Sequence, residues 1–181
     1  MRRVRFEISA AAVLLAALLY FFDATGAVSA LVPAVLTHEL GHILALRLCE
    51  CRVTRVRVGL TGLELDYAPG LDGGKRALCC LAGPLSGFLY AAACLAAGGA
   101  FLRMSGAISL LLTCFNLLPT LPLDGGRCAA ALLPERAARA LSCCTAFLLA
   151  LTGCWLALRY GSVSLCVMGA WLSFCNLRRS D

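Results

Sequence analysis

The stretch LVPAVLTHELGHILALRL, Leu31 to Leu48, is apolar enough to lie in a bilayer, yet His38, Glu39 and His42 stand in its middle. They include both of the histidines in the chain. Ionisable side chains in a membrane span cost several kcal/mol by most estimates, so a purely structural reason for all three is hard to sustain. The spacing H-E-x-x-H supplies a chemical one. Four residues apart on a helix, His38 and His42 share a face one turn apart, and both imidazoles can reach the same metal ion. Glu39 is one position on, close to that ion without binding it, and can take a proton from the attacking water.

The rest of the chain agrees with a lipid environment. Of its 181 residues, 61% are hydrophobic and 14% charged. One water-soluble core of this size cannot bury so much apolar surface, so lipid must cover much of it. The apolar runs predict an all-α polytopic membrane protein with about six transmembrane helices, near residues 8–22, 27–48, 78–101, 106–121, 140–158 and 162–176. A single membrane-embedded domain over 1–181 is expected. With the N-terminus in the cytoplasm, the inner segments are 1–7, 47–77, 122–139 and 177–181, and every lysine and arginine except Arg103 and Arg159 falls in them. The positive-inside rule chooses this orientation, with both termini cytoplasmic. The net charge of +6 flanks spans and does not gather on one polar face, which argues against nucleic acid as a partner. The opening MRRVRFE, its apolar run and the small residues Val28–Ala30 imitate a signal peptide. A second apolar segment follows at once, so the run reads as the first span.

The one extended polar segment is 49–77. Its core RVRVGLTGLELDY alternates apolar and polar residues around Gly59 and Gly62, which predicts a small cytoplasmic β-hairpin over 52–67 between spans two and three. It reads equally as an amphipathic hairpin on the membrane surface or as an edge strand that pairs with an extended peptide. Ala68–Arg76 reads as loop. The 12 cysteines include no C-x-x-C pair, so most read as small hydrophobes. Cys49 and Cys51 at a membrane edge are a weak candidate for a second metal site.

A catalytic metal needs a third protein ligand and an open position. No further histidine exists, so the candidates are carboxylates or thiolates. Asp124 is favoured. It ends the fourth span after Pro119 and Pro122, which should unwind the helix into irregular backbone of the kind tolerated where it lines a cavity. Asp72 has the same D-G-G context but lacks the upstream asparagine and prolines, and it fits a plain turn. Asn116, mid-span, is either glue between helices or a group that orients substrate near the metal. Gly83, Pro84 and Gly87 in span three read as residues for close helix packing.

Together the membrane-embedded H-E-x-x-H of His38–His42, the A-G-P of Ala82–Pro84 and the N-x-x-P-x-x-P-L-D-G of Asn116–Gly125 resemble the site-2 protease family of intramembrane zinc metalloproteases. The compact layout, with no PDZ insert between the motifs, looks most like the sporulation-type subgroup, which processes a membrane-associated pro-sigma factor. The resemblance implies that His38, His42 and Asp124 hold Zn2+, that Glu39 is the catalytic acid and base, and that Asn116 lies near the active site as a substrate-binding residue. It implies a membrane-spanning or membrane-associated protein substrate, regulated intramembrane proteolysis, and a bacterial plasma membrane. Activity would be gated by the substrate or held back by an inhibitory membrane partner. Two departures stand out. Gly87 occupies a position where the family often has asparagine, and the CBS domain of some sporulation-type members is not expected here.

The rival reading is a membrane metal-binding protein or transporter without protease activity. Transport favours several ionisable groups strung through the spans, and the sequence offers one cluster. A membrane zincin with a Glu-x-x-x-Asp ligand helix is also considered, but Glu135 is followed by RAAR and fails that pattern.

Overall fold

A computed structural model describes residues 5–51, 53–59, 62–67 and 72–178. In chain order these form β1 (Arg5–Ile8), α1 (Ala10–Phe21), α2 (Ala27–Leu48), β2 (Val53–Gly59), β3 (Gly62–Tyr67), α3 (Gly73–Ala97), α4 (Ala100–Asn116), α5 (Asp124–Leu132), α6 (Glu135–Tyr160) and α7 (Ser164–Arg178).

The helix limits follow from local chemistry. Asp23 closes the turn between α1 and α2. Its carboxylate accepts from the Thr25 hydroxyl at 2.8 Å and from the Val28 amide at 2.7 Å, which occupies a donor the new helix cannot satisfy itself. Asp72 caps α3 in the same manner, accepting from Lys75 N at 2.7 Å, so the helix starts at Gly73 and not at residue 78. Residues 73–76, expected as loop, are therefore its first turn. α4 stops at Asn116 because Pro119 lacks the N–H that the Phe115 carbonyl would accept. α6 ends at Gly161, whose φ of 71° is the left-handed cap conformation.

These stops shorten the spans. α2, α3 and α6, with 22, 25 and 26 residues, are long and apolar enough to cross a membrane. α4 is apolar but has 17 residues. α1 has 12 residues and α7 has 15. At 1.5 Å per residue these last two rise only about 18 and 22 Å, short of a hydrocarbon core of about 30 Å. Three such helices are found among the described residues, where about six spans, some of them short, were expected. The fourth span also ends earlier than expected. Asp124 is not its last residue but the first of α5, a separate nine-residue helix.

Packing is of the kind lipid demands. α2, α3 and α4 pack on one another, α5 lies on α3, and α6 pairs with α7. Small residues form the contacts: Ala30 and Ala34 on α2, Gly83, Gly87 and Ala91 on α3, Gly106 and Ser109 on α4 are all buried. Large apolar side chains point out, with Leu158 90% exposed and Phe21 81% exposed. Without a hydrophobic force between helices, close backbone approach and polar bonds hold them together. Ser105 Oγ donates to the Ala30 carbonyl at 2.7 Å and Ser109 Oγ to the Gly87 carbonyl at 2.9 Å.

A three-stranded sheet accompanies the helices in the order β1-β2-β3. β2 and β3 are antiparallel, with Val56 opposite Leu65 and an irregularity between Val53 and Arg55. Residues 60–61, which would join them, lie outside the described residues. β1 runs parallel to β2, and Glu7 meets Arg55 Nε at 3.3 Å. Residues 5–7, expected in an inner segment, and residue 8, expected to open the first span, thus form an edge strand, and the chain is not purely helical.

Candidate metal centre

The H-E-x-x-H turn lies in α2, and its two imidazoles face the start of α5. His38 Nε2 is 3.0 Å from Asp124 Oδ2, His42 Nε2 is 3.1 Å from the same oxygen, and the two Nε2 atoms are 3.3 Å apart. His38 is 3% exposed and Asp124 6%. Among the described residues this is the one group of three metal-ligating side chains whose donor atoms converge. Asp72 is remote from it, engaged as the α3 cap. Cys49 Sγ lies 3.9 Å from Cys79 Sγ, and no third ligand joins that pair among the described residues.

The donor set suits a divalent cation. His42 Nδ1 is 2.8 Å from the Cys79 carbonyl, which can only accept, so Nδ1 carries the hydrogen. In the neutral ring this leaves Nε2 as a bare lone pair, aimed at a carboxylate oxygen and a second imidazole. Donors about 2.0–2.1 Å from a tetrahedral zinc stand about 3.3–3.4 Å from one another. The observed separations of 3.0, 3.1 and 3.3 Å lie close to that edge length. Three protein donors also leave one tetrahedral position open, as a catalytic site requires. The bond from His42 to a backbone carbonyl is the usual means of fixing the ring of a ligating histidine.

The neighbouring backbone makes room for the cluster. Pro84 lacks the N–H that the Cys80 carbonyl would take, and in that turn the Cys79 carbonyl accepts from His42. A β-carbon at Gly83 would fall on the His42 ring at Nε2. One at Gly87 would meet Thr113 Oγ1 at 2.6 Å and His38 Nδ1 at 3.6 Å. Gly83 and Gly87, read from sequence as packing residues, thus pack on His42 and His38 respectively. Gly125 and Gly126 do the same for Asp124. A β-carbon at Gly125 would strike the Leu117 carbonyl, and one at Gly126 the Thr120 carbonyl carbon. These glycines let residues 117–123 fold back over the first turn of α5 and set Asp124 against α2. Gly125 closes the Asn116–Gly125 motif, but nothing in the sequence assigned either glycine this steric role.

Glu39 is half-buried beside His38 on α2. Asn116 is the last residue of α4, and its Nδ2 donates to the Leu112 carbonyl of its own helix at 3.0 Å. Its amide nitrogen is therefore engaged locally and not with the cluster. An apolar cleft of about 660 Å³ runs beside the site between α2, α3 and α4, with Ala45, Leu48, Leu81, Pro84, Phe88 and Thr113 in its walls.

A model of peptidase family M50 matches residues 98–159, a span that contains Asn116 and Asp124 but not the histidine motif. No curated protein matches. Among solved structures, the site-2 protease from Methanocaldococcus jannaschii is similar with a TM-score of 0.67, covering 97% of this chain and 90% of that one at 20% identity. At that identity the likeness speaks for the fold. The M50 match over residues 98–159 and the fold shared with a site-2 protease agree with the resemblance carried by the sequence motifs.

Proposed function

We propose that the chain is an intramembrane zinc metalloprotease that hydrolyses peptide bonds of membrane-spanning or membrane-associated proteins. The observation that carries the proposal is the convergence of His38 Nε2, His42 Nε2 and Asp124 Oδ2 within 3.3 Å, beside Glu39 on a helix long enough to cross a bilayer. Held by these three groups, zinc supplies a Lewis acid for the scissile carbonyl and acidifies its water. The Glu39 carboxylate takes the proton of the attacking water and returns it to the leaving amine. His42 is kept in register by the Cys79 carbonyl, so its Nε2 does not rotate away from the site. The polar trio sits in the apolar helix because the bond it cleaves lies at that depth.

The substrate must be extended at the cleaved bond, since a helix engages its carbonyls in intrachain bonds. The edge strand β3, or the irregular backbone before Asp124, is suited to hold such a segment by backbone pairing. Placement in a bacterial plasma membrane with cytoplasmic termini, and processing of a pro-sigma factor, are the finer assignments that the resemblance to sporulation-type members suggests.

The test uses wild type, Glu39→Gln and Asp124→Ala purified in detergent, with zinc counted per chain and single-span membrane peptides as substrates. About one zinc in wild type and Glu39→Gln, less in Asp124→Ala, and cleavage by wild type alone is the expected result. Zinc with function surviving in Glu39→Gln would instead select the binding or transport reading.

A further inference from the structure

Three polar side chains are buried together far from the histidines in sequence: Thr120, at an unspecified position of the Asn116–Gly125 motif, and Ser142 and Asn176, outside every motif discussed above. Thr120 is fully buried, Ser142 on α6 is 2% exposed and Asn176 on α7 is 7% exposed. All three meet at the backbone of residues 120–121. Ser142 Oγ accepts from the Leu121 amide at 2.7 Å and donates to Asn176 Oδ1. Ser142 Oγ also lies 3.3 Å from Thr120 Oγ1. Asn176 Nδ2 lies within hydrogen-bond reach of the Leu121 carbonyl at 3.0 Å, Thr120 Oγ1 at 3.2 Å and the Leu172 carbonyl at 2.8 Å, three acceptors that share its two N–H groups. The amide orientation is settled by these partners, because carbonyl oxygens can be met only by its NH2 group.

The node holds a segment that cannot hold itself. Pro119 and Pro122 carry no N–H, so residues 117–123 cannot close a helical ladder. Leu121 then has its N–H bound by α6 and its carbonyl bound by α7. Leu123 N returns to the Thr120 carbonyl at 3.0 Å, and Asp124 follows immediately as the first residue of α5. Three residues thus separate the clamped Thr120 from Asp124, whose carboxylate meets both histidines. α6 and α7 otherwise pack chiefly on each other, and α6 reaches α5 only lightly. Their firmest polar hold on the rest of the molecule, among the described residues, is this node.

We propose that Asn176 and Ser142 are positioning residues for Asp124, through which the α6–α7 pair sets the geometry of the metal centre. This rests on the reading of Asp124 as a metal ligand. Their action is indirect, since neither touches the ligand atoms. The physical basis is that buried polar networks in a low-dielectric interior are stiff when every member is satisfied and costly when one partner is removed. Loss of one bond frees Leu121, and the freedom passes along three residues to the carboxylate. Supporting groups of this kind, when removed, typically cost about 10–100-fold in metal affinity.

The experiment uses the full chain in detergent, loaded with zinc, and follows metal transfer to a chromophoric chelator. Asn176→Ala, Ser142→Ala and Thr120→Val each remove part of the node. Ser142→Thr restores the hydroxyl, and Ser173→Ala, which loses only a bond within α7 to the Gly169 carbonyl, is the control. Expected are zinc affinities about 10–100-fold weaker in the three node variants, near wild type in Ser142→Thr and in the control, with helical content unchanged. Cobalt-loaded Ser142→Ala should show a shifted ligand-field spectrum relative to cobalt-loaded wild type. Wild-type affinity and spectrum in folded node variants, with only a lower melting temperature, would overturn the proposal. Should Asn176→Ala fail to fold, Ser142→Ala and Thr120→Val, which remove fewer bonds, decide the matter. Unchanged zinc in Asp124→Ala would remove the ligand assignment itself, an outcome distinct from failure of the node.

Discussion

Gly83 faces His42 so closely that a β-carbon on residue 83 would overlap the ring at Nε2. The contact joins α3 to the His42 atom that faces Asp124, and it assigns the glycine of the A-G-P stretch a specific steric role. In Gly83→Ala the ring must turn or α3 must move away, and either change parts Nε2 from Asp124 Oδ2. Zinc affinity should fall tenfold or more, by analogy with lost support around a ligand. Gly74→Ala, at a position with only Asp72 Oδ1 nearby at 3.7 Å, should keep its metal. Metal analysis after dialysis of both variants checks the contrast.

Asp72 and Asp124 share a local sequence and have separate tasks. Asp72→Ala removes the bond to Lys75 N and should cost about 0.5–2 kcal/mol as a lost helix cap. Its zinc content should equal that of wild type. Asp124→Ala should show the reverse, losing metal. Thermal unfolding and zinc counts on the same two samples decide it, and metal loss in Asp72→Ala would contradict the assignment.

Glu39→Gln isolates proton transfer from metal binding. Its side chain has nearly the same volume but accepts no proton at neutral pH. Cleavage should drop by about 10²–10⁴-fold, the usual contribution of general acid–base catalysis. Zinc should stay bound. The rate ratio on one membrane peptide, measured beside a zinc count, gives the answer.

Proline scanning of β3 tests its use as a template for substrate. Successive residues of a strand direct their N–H groups to opposite sides, so Leu63→Pro and Glu64→Pro differ in effect. One disturbs the pairing with β2, and the other blocks the open edge of the sheet. The edge variant should cleave membrane peptides several-fold more slowly at unchanged zinc content. Full cleavage by both variants would exclude pairing at this edge.

Removing the metal with a chelator should abolish cleavage, and added zinc should restore it. Wild type and Gly74→Ala should recover alike, whereas Asp124→Ala should not. Activity that persists after zinc has been shown to leave would rule out the metalloprotease reading.

What the sequence determined by itself was local. The 3.6-residue repeat puts His38 and His42 on one helix face wherever that helix lies. Apolar composition calls for lipid, and the pair Pro119 and Pro122 disfavours a continuous helical ladder between them. Where each apolar helix begins and ends was less legible, because an apolar run does not reveal which cap or proline closes it. Only the tertiary structure decided that α5 turns back under residues 117–123, which brings Asp124 to 3.0 Å from His38 across 86 residues of chain. The same holds for Gly83 beneath His42 and for Asn176 and Ser142 around Leu121. These contacts depend on how closely helices approach and on which buried donor finds which acceptor. Such facts belong to packing in three dimensions, and no window of sequence contains both partners.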